Sequence, residues 1–318
     1  MKRYPLVTMG ELLVDLTQVG VQENGVALLA ANPGGAPANV AVAAARLGLK
    51  PAFIGRVGQD AFGDELRRVL EENGVDTTGL SSDPTVPTTL AVVTVNGAGE
   101  RSFAFYRSPG ADICLSAEDV PAPLLENAEI FHFGSVSLTA EPCKSAVLSA
   151  VQKAKEAGAI ITYDPNYRPA LWDSEARAIT EMRAPLPLVD ILKISDEEVL
   201  LVSGERDIEK GATALLNKGI ALVLITLGAE GVFYATKEFC GRVAGFSVKV
   251  ADTNGAGDTF FGAFLSRVSA RGGMENLGQA ELEEMLRFAN AAAAVTTSRA
   301  GAIPAMPNLQ DVKTMLQG

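Results

Sequence analysis

The sequence Asp-Thr-Asn-Gly-Ala-Gly-Asp-Thr occupies residues 252–259 and is followed by an apolar run, Phe-Phe-Gly-Ala-Phe-Leu, at residues 260–265. The two glycines let the backbone approach a ligand closely, and the apolar run predicts a buried helix that begins here. Free N–H groups at such a helix start form an anion site. Asp258 stands in the first turn, where it either accepts a proton from an attacking hydroxyl or caps the helix. Amides that hold an anion, together with one carboxylate, are sufficient for phosphoryl transfer.

A second helix that follows glycines is predicted near the other end of the chain. Gly34 and Gly35 precede Asn39 and an alanine-rich apolar run, and Gly48 closes the predicted helix. Adjacent glycines again permit close backbone approach, and an asparagine in the first turn can hydrogen-bond a polyol.

The two motifs together, in this order, resemble the two signatures of the ribokinase-like (PfkB) sugar kinases. The resemblance extends over nearly the whole chain and is closest to the fructokinases. It implies an α/β fold, a ribokinase-like three-layer α/β/α arrangement with a mainly parallel central sheet and a small projecting β-sheet lid. It also implies that Asp258 is the catalytic base and that the backbone amides of Gly255, Ala256, Gly257 and Asp258 form the anion hole.

Composition and charge limit the class of protein. The 318 residues are 47% hydrophobic and 20% charged, which is typical of a soluble globular enzyme and compatible with one large domain or two. A net charge of −11 argues against nucleic acid and anionic membranes as partners. Three scattered cysteines and an N-terminus without the apolar segment of a signal peptide predict a cytoplasmic protein. No stretch approaches the ~20 apolar residues of a membrane span.

The single histidine, His132, excludes several chemistries. A His-Glu-x-x-His zinc site needs two histidines, and a Ser-His-Asp triad would need this one. His132 lies in an apolar run that predicts a core strand, which favours a structural role. The sequence contains neither the G-x-x-x-x-G-K-[ST] phosphate loop nor the G-x-G-x-x-G dinucleotide fingerprint, so P-loop kinases and dehydrogenases lose their main support.

Short apolar runs alternate with longer segments of helical periodicity, which predicts βαβ units and a parallel sheet. The predicted central strands are Leu6–Met9, Ala52–Val57, Ile130–Gly134, Ile160–Asp164, Asp190–Ile194 and Ala221–Thr226. The predicted helices include Asp60–Asn73, Pro142–Glu156, Glu198–Gly204, Ile208–Lys218, Ala256–Arg271 and Gln279–Ser298.

Two segments interrupt this alternation, at about residues 11–31 and 88–112. Both alternate apolar and polar residues as half-buried strands do, and Asn96-Gly97-Ala98-Gly99 predicts a hairpin turn in the second. We interpret them as a small sheet that projects from a single domain of residues 1–318. In the resembled family such a sheet closes over the sugar as a lid and often supplies a dimer interface, so the resemblance implies a homodimer through the lid.

The predicted sugar site combines residues from four segments. Asp15 follows the first strand, where ligands of open α/β sheets bind, although spacing alone favours a solvated loop acid. The lid segment around residues 100–112 and the segment at 164–172 both resemble fructokinases, but two aromatic residues in the lid could also pack in a hairpin core. The resemblance implies the following substrate-binding residues: Asp15, Gly34, Gly35, Asn39, Phe103, Phe105, Arg107, Asn166 and Arg168.

The predicted nucleotide site lies in the second half of the chain. Ser195-Asp196-Glu197-Glu198 occupies the place of the family's Asn-x-x-Glu, whose glutamate helps to hold the water shell of Mg²⁺, but Ser-x-x-Glu is also a capping box. The resemblance implies ATP as co-substrate, with Ser195, Thr226, Gly228, Gly231 and Asn290 at the nucleotide and Glu198 at Mg²⁺. It further implies a K⁺ site formed by Asp252 and by Asn254, Thr296, Arg299 and Gly301.

These observations predict an ATP-dependent sugar kinase, with fructose converted to fructose 6-phosphate as the reaction that the resemblance favours. Alternatives within the family are kinases of 2-keto-3-deoxygluconate, ribose and ribosides. A protein of another class, a non-catalytic sensor that binds sugar or nucleotide, would not need an intact Asp258 and anion hole. A dehydrogenase would need the absent dinucleotide fingerprint.

Overall fold

The computed structural model describes residues 4–95 and 101–317. For residues 93–95 and 101–103 it describes the backbone alone. In this part of the chain, strands and helices alternate as the sequence predicts. The strands are β1 (Val7–Met9), β2 (Leu13–Val21), β3 (Ala27–Gly34), β4 (Ala52–Gly58), β5 (Asp76–Asp83), β6 (Leu90–Val95), β7 (Arg101–Tyr106), β8 (Ile130–Gly134), β9 (Ile160–Asp164), β10 (Ile191–Ser195), β11 (Leu222–Thr226), β12 (Val232–Ala235) and β13 (Cys240–Val243). The helices are α1 (Ala36–Arg46), α2 (Ala61–Glu72), α3 (Ala122–Glu126), α4 (Cys143–Glu156), α5 (Glu175–Arg183), α6 (Val199–Ser203), α7 (Ile208–Leu216), α8 (Ala256–Arg271), α9 (Gln279–Thr297) and α10 (Leu309–Gln317).

A nine-stranded sheet forms the middle layer, in the order β13-β12-β11-β10-β9-β8-β1-β4-β5. The seven strands from β11 to β5 in this order run parallel to one another. At one edge, β12 pairs antiparallel with β11, and β13 pairs antiparallel with β12. Helices α3, α4, α6 and α7 pack on one face, and α1, α8, α9 and α10 pack on the other. The predicted three-layer arrangement is confirmed. Because the carboxyl ends of parallel strands share one edge, the loops after β1, β9, β10 and β11 come together there.

The predicted lid is a separate four-stranded sheet in the order β3-β2-β6-β7. Strand β2 pairs antiparallel with β3 and parallel with β6, and β6 pairs antiparallel with β7. Strand β3 continues to Gly34, so the lid leads directly into the glycine pair that precedes α1. The predicted turn at residues 96–99 lies outside the described residues.

The sequence did not indicate β5, β12 or β13. Strand β5 lies at one edge of the large sheet and begins with polar residues, so its apolar pattern is weak. Strands β12 and β13 have four residues each, and the side chains of β13 alternate between exposed and half-buried. Strands β5 and β13 lie at the two edges of the sheet, where fewer apolar side chains are needed, while β12 is apolar and buried but too short for its four residues to show a period.

Helices α1 and α8 lie in close contact, and this contact positions the two sequence motifs. A Cβ atom at Gly262 of α8 would lie 2.6 Å from the carbonyl oxygen of Val40 in α1, so only glycine permits this approach. Phe261 and Phe264 of α8 are fully buried beside it, and burial of each such side chain contributes about 1.5–3 kcal/mol. The first turns of the two helices are therefore held side by side. No helix in the described ranges has the length and apolar character needed to cross a membrane.

Candidate active site

The first turn of α8 is the centre of the site. Gly255 precedes the helix with φ of 73°, a left-handed conformation that glycine adopts without strain, and a Cβ atom there would lie 2.8 Å from the Cβ of Ala302. Asp258, three residues further on, is buried, and its Oδ2 accepts a hydrogen bond of 2.8 Å from Nδ2 of Asn39 in α1. The contact joins the motif near the start of the chain to the motif near its end.

The environment of Asp258 suits a general base. Burial raises the pKa of its carboxyl to about 6, and the nearby Asp164 carboxylate contributes in the same direction. The hydrogen bond from Asn39 and the positive charges of Lys193 and Arg168 oppose this rise. The group is therefore ionised at neutral pH, yet it is more basic than an ordinary aspartate and can accept a proton.

A cavity of about 80 Å³ lies on one side of Asp258. Glu11, Leu13, Asp15, Gly35, Ala36, Asn39, Phe105, Val136, Asn166, Arg168, Leu171, Asn254 and Asp258 line it. Most of the predicted sugar-binding residues thus meet at one place. Oδ1 of Asn39 is buried without a hydrogen-bond partner among the described protein groups, so it is available to accept a bond from a ligand hydroxyl.

Asp15 is held against the glycine pair. Burial raises the pKa of its carboxyl to about 6, while a hydrogen bond from Asn254 and the charge of Arg168 oppose the rise. A Cβ atom at Gly34 would collide with Oδ2 of Asp15, and one at Gly35, whose φ is 112°, would collide with the backbone oxygen of Glu11. Both glycines are needed because carboxylate and backbone occupy the space that a side chain would fill.

Asn166 and Arg168 follow β9 and line the same cavity. Asn166 adopts φ of 48°, which asparagine tolerates better than most residues, and its backbone N–H donates to Oδ1 of Asp164 at 3.1 Å. This turn carries Arg168 to the cavity, where its positive charge opposes the rise in the pKa of both Asp15 and Asp258.

The two predicted aromatic residues and the arginine of the lid are placed differently from one another. Phe105 lines the cavity, while the side chain of Phe103 lies outside the described residues. Arg107 forms a buried ion pair of 2.6 Å with Asp112 and donates to Oγ1 of Thr139 at 2.7 Å. It is not among the lining residues of the cavity, so its direct contact with a sugar or phosphate stays a prediction.

A larger cavity of about 430 Å³ lies on the other side of the α8 start. Four of the predicted nucleotide residues line it, namely Thr226, Gly228, Gly231 and Asn290. Asn290 also donates hydrogen bonds of 3.1 Å to the carbonyls of Val243 and Ala244, so it holds the adjacent loop. That loop contributes lining residues that no motif indicated: Gly245, Phe246, Ser247, Val248 and Val250.

The Ser195–Glu198 segment forms the capping box that the sequence offered as the alternative. Oε2 of Glu198 accepts from the backbone N–H of Ser195 at 2.8 Å and from its hydroxyl at 3.0 Å. Oε1 accepts from the backbone N–H of Tyr167 at 2.6 Å. Burial and the neighbouring Asp164 raise the pKa of Glu198. The cap and a role at Mg²⁺ are compatible because Oε1 accepts only one of these three hydrogen bonds and keeps a second lone pair.

Two of the predicted K⁺ residues, Asn254 and Gly301, contact Asp252. Its Oδ1 accepts from the backbone N–H of Asn254 at 3.0 Å, and its Oδ2 accepts from that of Gly301 at 3.1 Å. The carbonyl of Thr296 accepts from the N–H of Arg299 at 3.0 Å. Carbonyl-rich loops of this kind suit a monovalent cation. No cluster of three or more His, Cys, Asp or Glu side chains with metal-binding geometry occurs among the described residues.

Sequence reasoning missed a charged group below the anion site. Lys193 lies in β10, and its Nζ forms a 2.6 Å ion pair with Oδ2 of Asp164 at the end of β9. Glu11 was also missed, although it lines the small cavity and its Oε1 accepts from the N–H of Ala36 at 2.9 Å. The sequence did contain an indication of Lys193, because this lysine interrupts an otherwise apolar strand at residues 191–194.

Comparisons with known proteins agree with this geometry. The model of the pfkB family carbohydrate kinases matches residues 6–309. Fructokinase-2 of Solanum lycopersicum is 43% identical over 320 residues, which cover 98% of this chain and 96% of the relative. Among solved structures, the fructokinase of Xylella fastidiosa with bound ATP is similar with a TM-score of 0.90, 33% identity and 99% coverage of both chains. A double mutant of the fructokinase of Vibrio cholerae, bound to fructose, ADP and potassium ion, has a TM-score of 0.89, 35% identity and 99% coverage of both chains.

The chain belongs to the pfkB family of carbohydrate kinases. It is therefore a phosphotransferase whose acceptor is an alcohol group of a sugar. The two cavities at the start of α8 are therefore the candidate binding sites for its two substrates.

Proposed function

We propose that this kinase is an ATP-dependent fructokinase, which converts fructose and ATP into fructose 6-phosphate and ADP. One observation carries the proposal: Asp258 and the anion-binding start of α8 lie where a polar cavity and a larger, mainly apolar cavity meet. The high similarity to fructokinases over the whole chain supports fructose as the sugar.

The geometry supports direct transfer between the two substrates. A primary hydroxyl in the small cavity would donate its proton to the Asp258 carboxylate as its oxygen attacks the terminal phosphorus of ATP. The backbone amides of Gly255–Asp258 and the positive end of α8 would stabilise the charge on the phosphoryl oxygens. Asn39 would hold the Asp258 carboxylate in place, and Phe105 would help to exclude water that could otherwise accept the phosphoryl group.

We propose Mg²⁺ as the divalent cofactor, with Glu198 binding its water shell, because kinases neutralise the phosphates of ATP with this ion. We propose K⁺ as a second cation beside the anion hole, since Asp252 connects the loops that carry the predicted carbonyls of Asn254 and Gly301. The ion would strengthen the positive field at the anion hole.

The wall of the sugar cavity that lies opposite Asp258 determines which sugar the enzyme prefers. We expect kcat/KM for fructose to exceed that for ribose, glucose and 2-keto-3-deoxygluconate by at least ~10-fold, which is ~1.4 kcal/mol. The physical reason is that a site built to hydrogen-bond each hydroxyl leaves buried polar groups unpaired when a hydroxyl is missing or misplaced. An ADP-release assay with each sugar measures the ratio. A higher value for one of the three other sugars would retain the kinase and reject fructose.

A non-catalytic sensor is the alternative of a different class. The buried Asn39–Asp258 hydrogen bond disfavours it, because a sensor has no need for a positioned base. ADP release that depends on sugar would exclude a sensor, and binding of both ligands without any turnover would support one.

We also propose a homodimer that forms through the lid. Five apolar side chains on and beside the β2–β3 hairpin are between 42% and 66% exposed: Val19, Val21, Val26, Leu28 and Leu29. Strand β3 is at the edge of the lid sheet, with one side of its backbone unpaired among the described strands. A second copy of the chain would cover both the apolar side chains and the strand edge.

Light scattering after gel filtration tests the dimer. We expect the mass of two chains for the wild type and of one chain for Leu28→Lys, because an unpaired charge in the interface is costly. Leu200→Lys, at an exposed leucine of α6, is the matched control and should remain dimeric. A wild type that is monomeric at micromolar concentration would contradict the proposal.

The proposed enzyme is one domain over residues 1–318, with the lid as two excursions. The core cluster on the α8 face of the large sheet joins residues from Leu6 to Val312, which supports this. The cytoplasmic location stays a prediction, with which three free cysteines agree.

A further inference from the structure

Lys193 stands out because a buried strand of the core carries a charged side chain. Its neighbours on the same face of the large sheet, Ile191 in β10 and Leu222 and Leu224 in β11, belong to the apolar cluster below α8. The Lys193 side chain is only 8% exposed. Placing an ammonium there is costly, and an apolar residue of similar length would avoid the cost.

The Lys193 ammonium lies directly against the anion hole. A Cβ atom on Gly257 would be 3.1 Å from Nζ and 3.6 Å from Cε, so ammonium and anion-hole backbone are in contact. Since the start of α8 already carries a partial positive charge, the two positive groups repel each other unless an anion lies near both. Gly257 also lines the large cavity, at the end nearest Asp258.

Asp164 orients the ammonium but uses only part of its capacity. It is the one hydrogen-bond acceptor of Lys193 that occurs among the described residues, and an ammonium has three N–H donors. Burial lowers the pKa of Lys193, but Asp164 and Glu198 outweigh this effect, so the pKa is raised and the side chain stays charged.

We propose that Lys193 is a catalytic residue that donates a hydrogen bond to the phosphoryl group during its transfer, together with the anion-hole amides. The proposal rests on the proposed function, because it concerns the phosphoryl group that passes from ATP to the sugar. As the oxygen–phosphorus bond to the sugar forms and the bond to ADP breaks, the hydroxyl proton goes to Asp258 and neutralises it. Negative charge then remains on the phosphoryl oxygens and on ADP, and the Lys193 ammonium stabilises it.

The competing explanation is that Lys193 only neutralises the buried Asp164. Two variants separate these explanations. Lys193→Met removes the charge at similar length, but it leaves Asp164 unpaired and could unfold the protein. Lys193→Met combined with Asp164→Asn removes both charges, and the new amide oxygen can still accept from the N–H of Asn166. The control is Lys155→Met with Asp190→Asn. It removes an ion pair of 2.8 Å at the other end of the parallel strands, where Asp190 precedes β10.

Turnover and two binding constants are measured for each variant that melts cooperatively. We expect the double variant at Lys193 to lose about 10²–10³-fold in kcat, the usual loss for one donor of an oxyanion hole, while the Kd of ADP changes less than about 3-fold. Binding of ADP with aluminium fluoride and fructose, which imitates the transferring phosphoryl group, should weaken about as much as kcat. The Lys155 control should match the wild type in all three quantities.

Two results would overturn the proposal: a kcat within about threefold of the wild type in the folded double variant, or an equal weakening of ADP and of ADP with aluminium fluoride. Wild-type turnover on fructose is measured first. If it is absent, the fructokinase proposal fails, and the Lys193 comparison is made with the sugar that the wild type does phosphorylate. The two failures are thus distinguishable.

Discussion

Asp258→Asn is expected to lower turnover about 10²–10⁴-fold, the loss that follows removal of a general base. The amide is nearly isosteric with the carboxylate and remains within reach of Asn39, so the first turn of α8 should keep its shape. ATP binding should therefore survive. Steady-state assays together with calorimetry of ATP binding measure the two effects separately.

The control for this prediction is Asp64→Asn, which removes an exposed carboxylate from the first turn of α2. Both variants change one charge near a helix start, but only Asp258 faces a cavity. Near-normal turnover of Asp258→Asn would reduce Asp258 to a residue that stabilises the helix, the alternative that the sequence left open.

The second large effect is expected at the sugar. Asp15→Ala should lower kcat/KM for fructose about 10²–10⁴-fold, because hydrogen bonds to a charged group contribute about 1.5–3 kcal/mol each and the Asp15 carboxylate can accept two. The Kd of ADP should stay the same, since Asp15 does not line the nucleotide cavity. Assays over a range of fructose concentrations measure the loss.

Gly34→Ala provides an independent check of the same carboxylate. Its new methyl group would displace Oδ2 of Asp15 without removing any charge, so a partial form of the same defect is expected. An unchanged kcat/KM for fructose in Asp15→Ala would place the sugar elsewhere, even if Gly34→Ala were impaired.

The sequence predicted those parts of the site in which backbone conformation limits the choice of residue. Gly255 and Gly35 are required by positive φ and by close contacts, and such glycines are recognisable within motifs. The helix boundaries of α8 were predicted correctly because glycine lies at both ends, Gly255 and Gly272. The central strands were predicted to within about a residue at each end because each is a short, buried, mainly apolar run.

Other parts depend on contacts between distant segments, which a single sequence does not reveal. The Asn39–Asp258 hydrogen bond joins residues 219 positions apart, and Lys193 meets Gly257 only because β10 passes below α8. Likewise, the sequence did not reveal that Arg107 pairs with Asp112, so Arg107 could not be distinguished from an arginine that binds a ligand. The loop at residues 245–250, which lines the larger cavity, has no characteristic sequence pattern.

The distance along the chain between Asn39 and Asp258 also concerns biosynthesis. During translation Asn39 emerges first, and at ~5–20 residues per second the proposed base, Asp258, follows more than ten seconds later. A nascent chain that ends between these two positions therefore carries part of the proposed sugar site without the proposed base. On the proposed roles, phosphotransfer would require that α8 has docked on α1, so in refolding experiments the return of activity would report completion of the native structure.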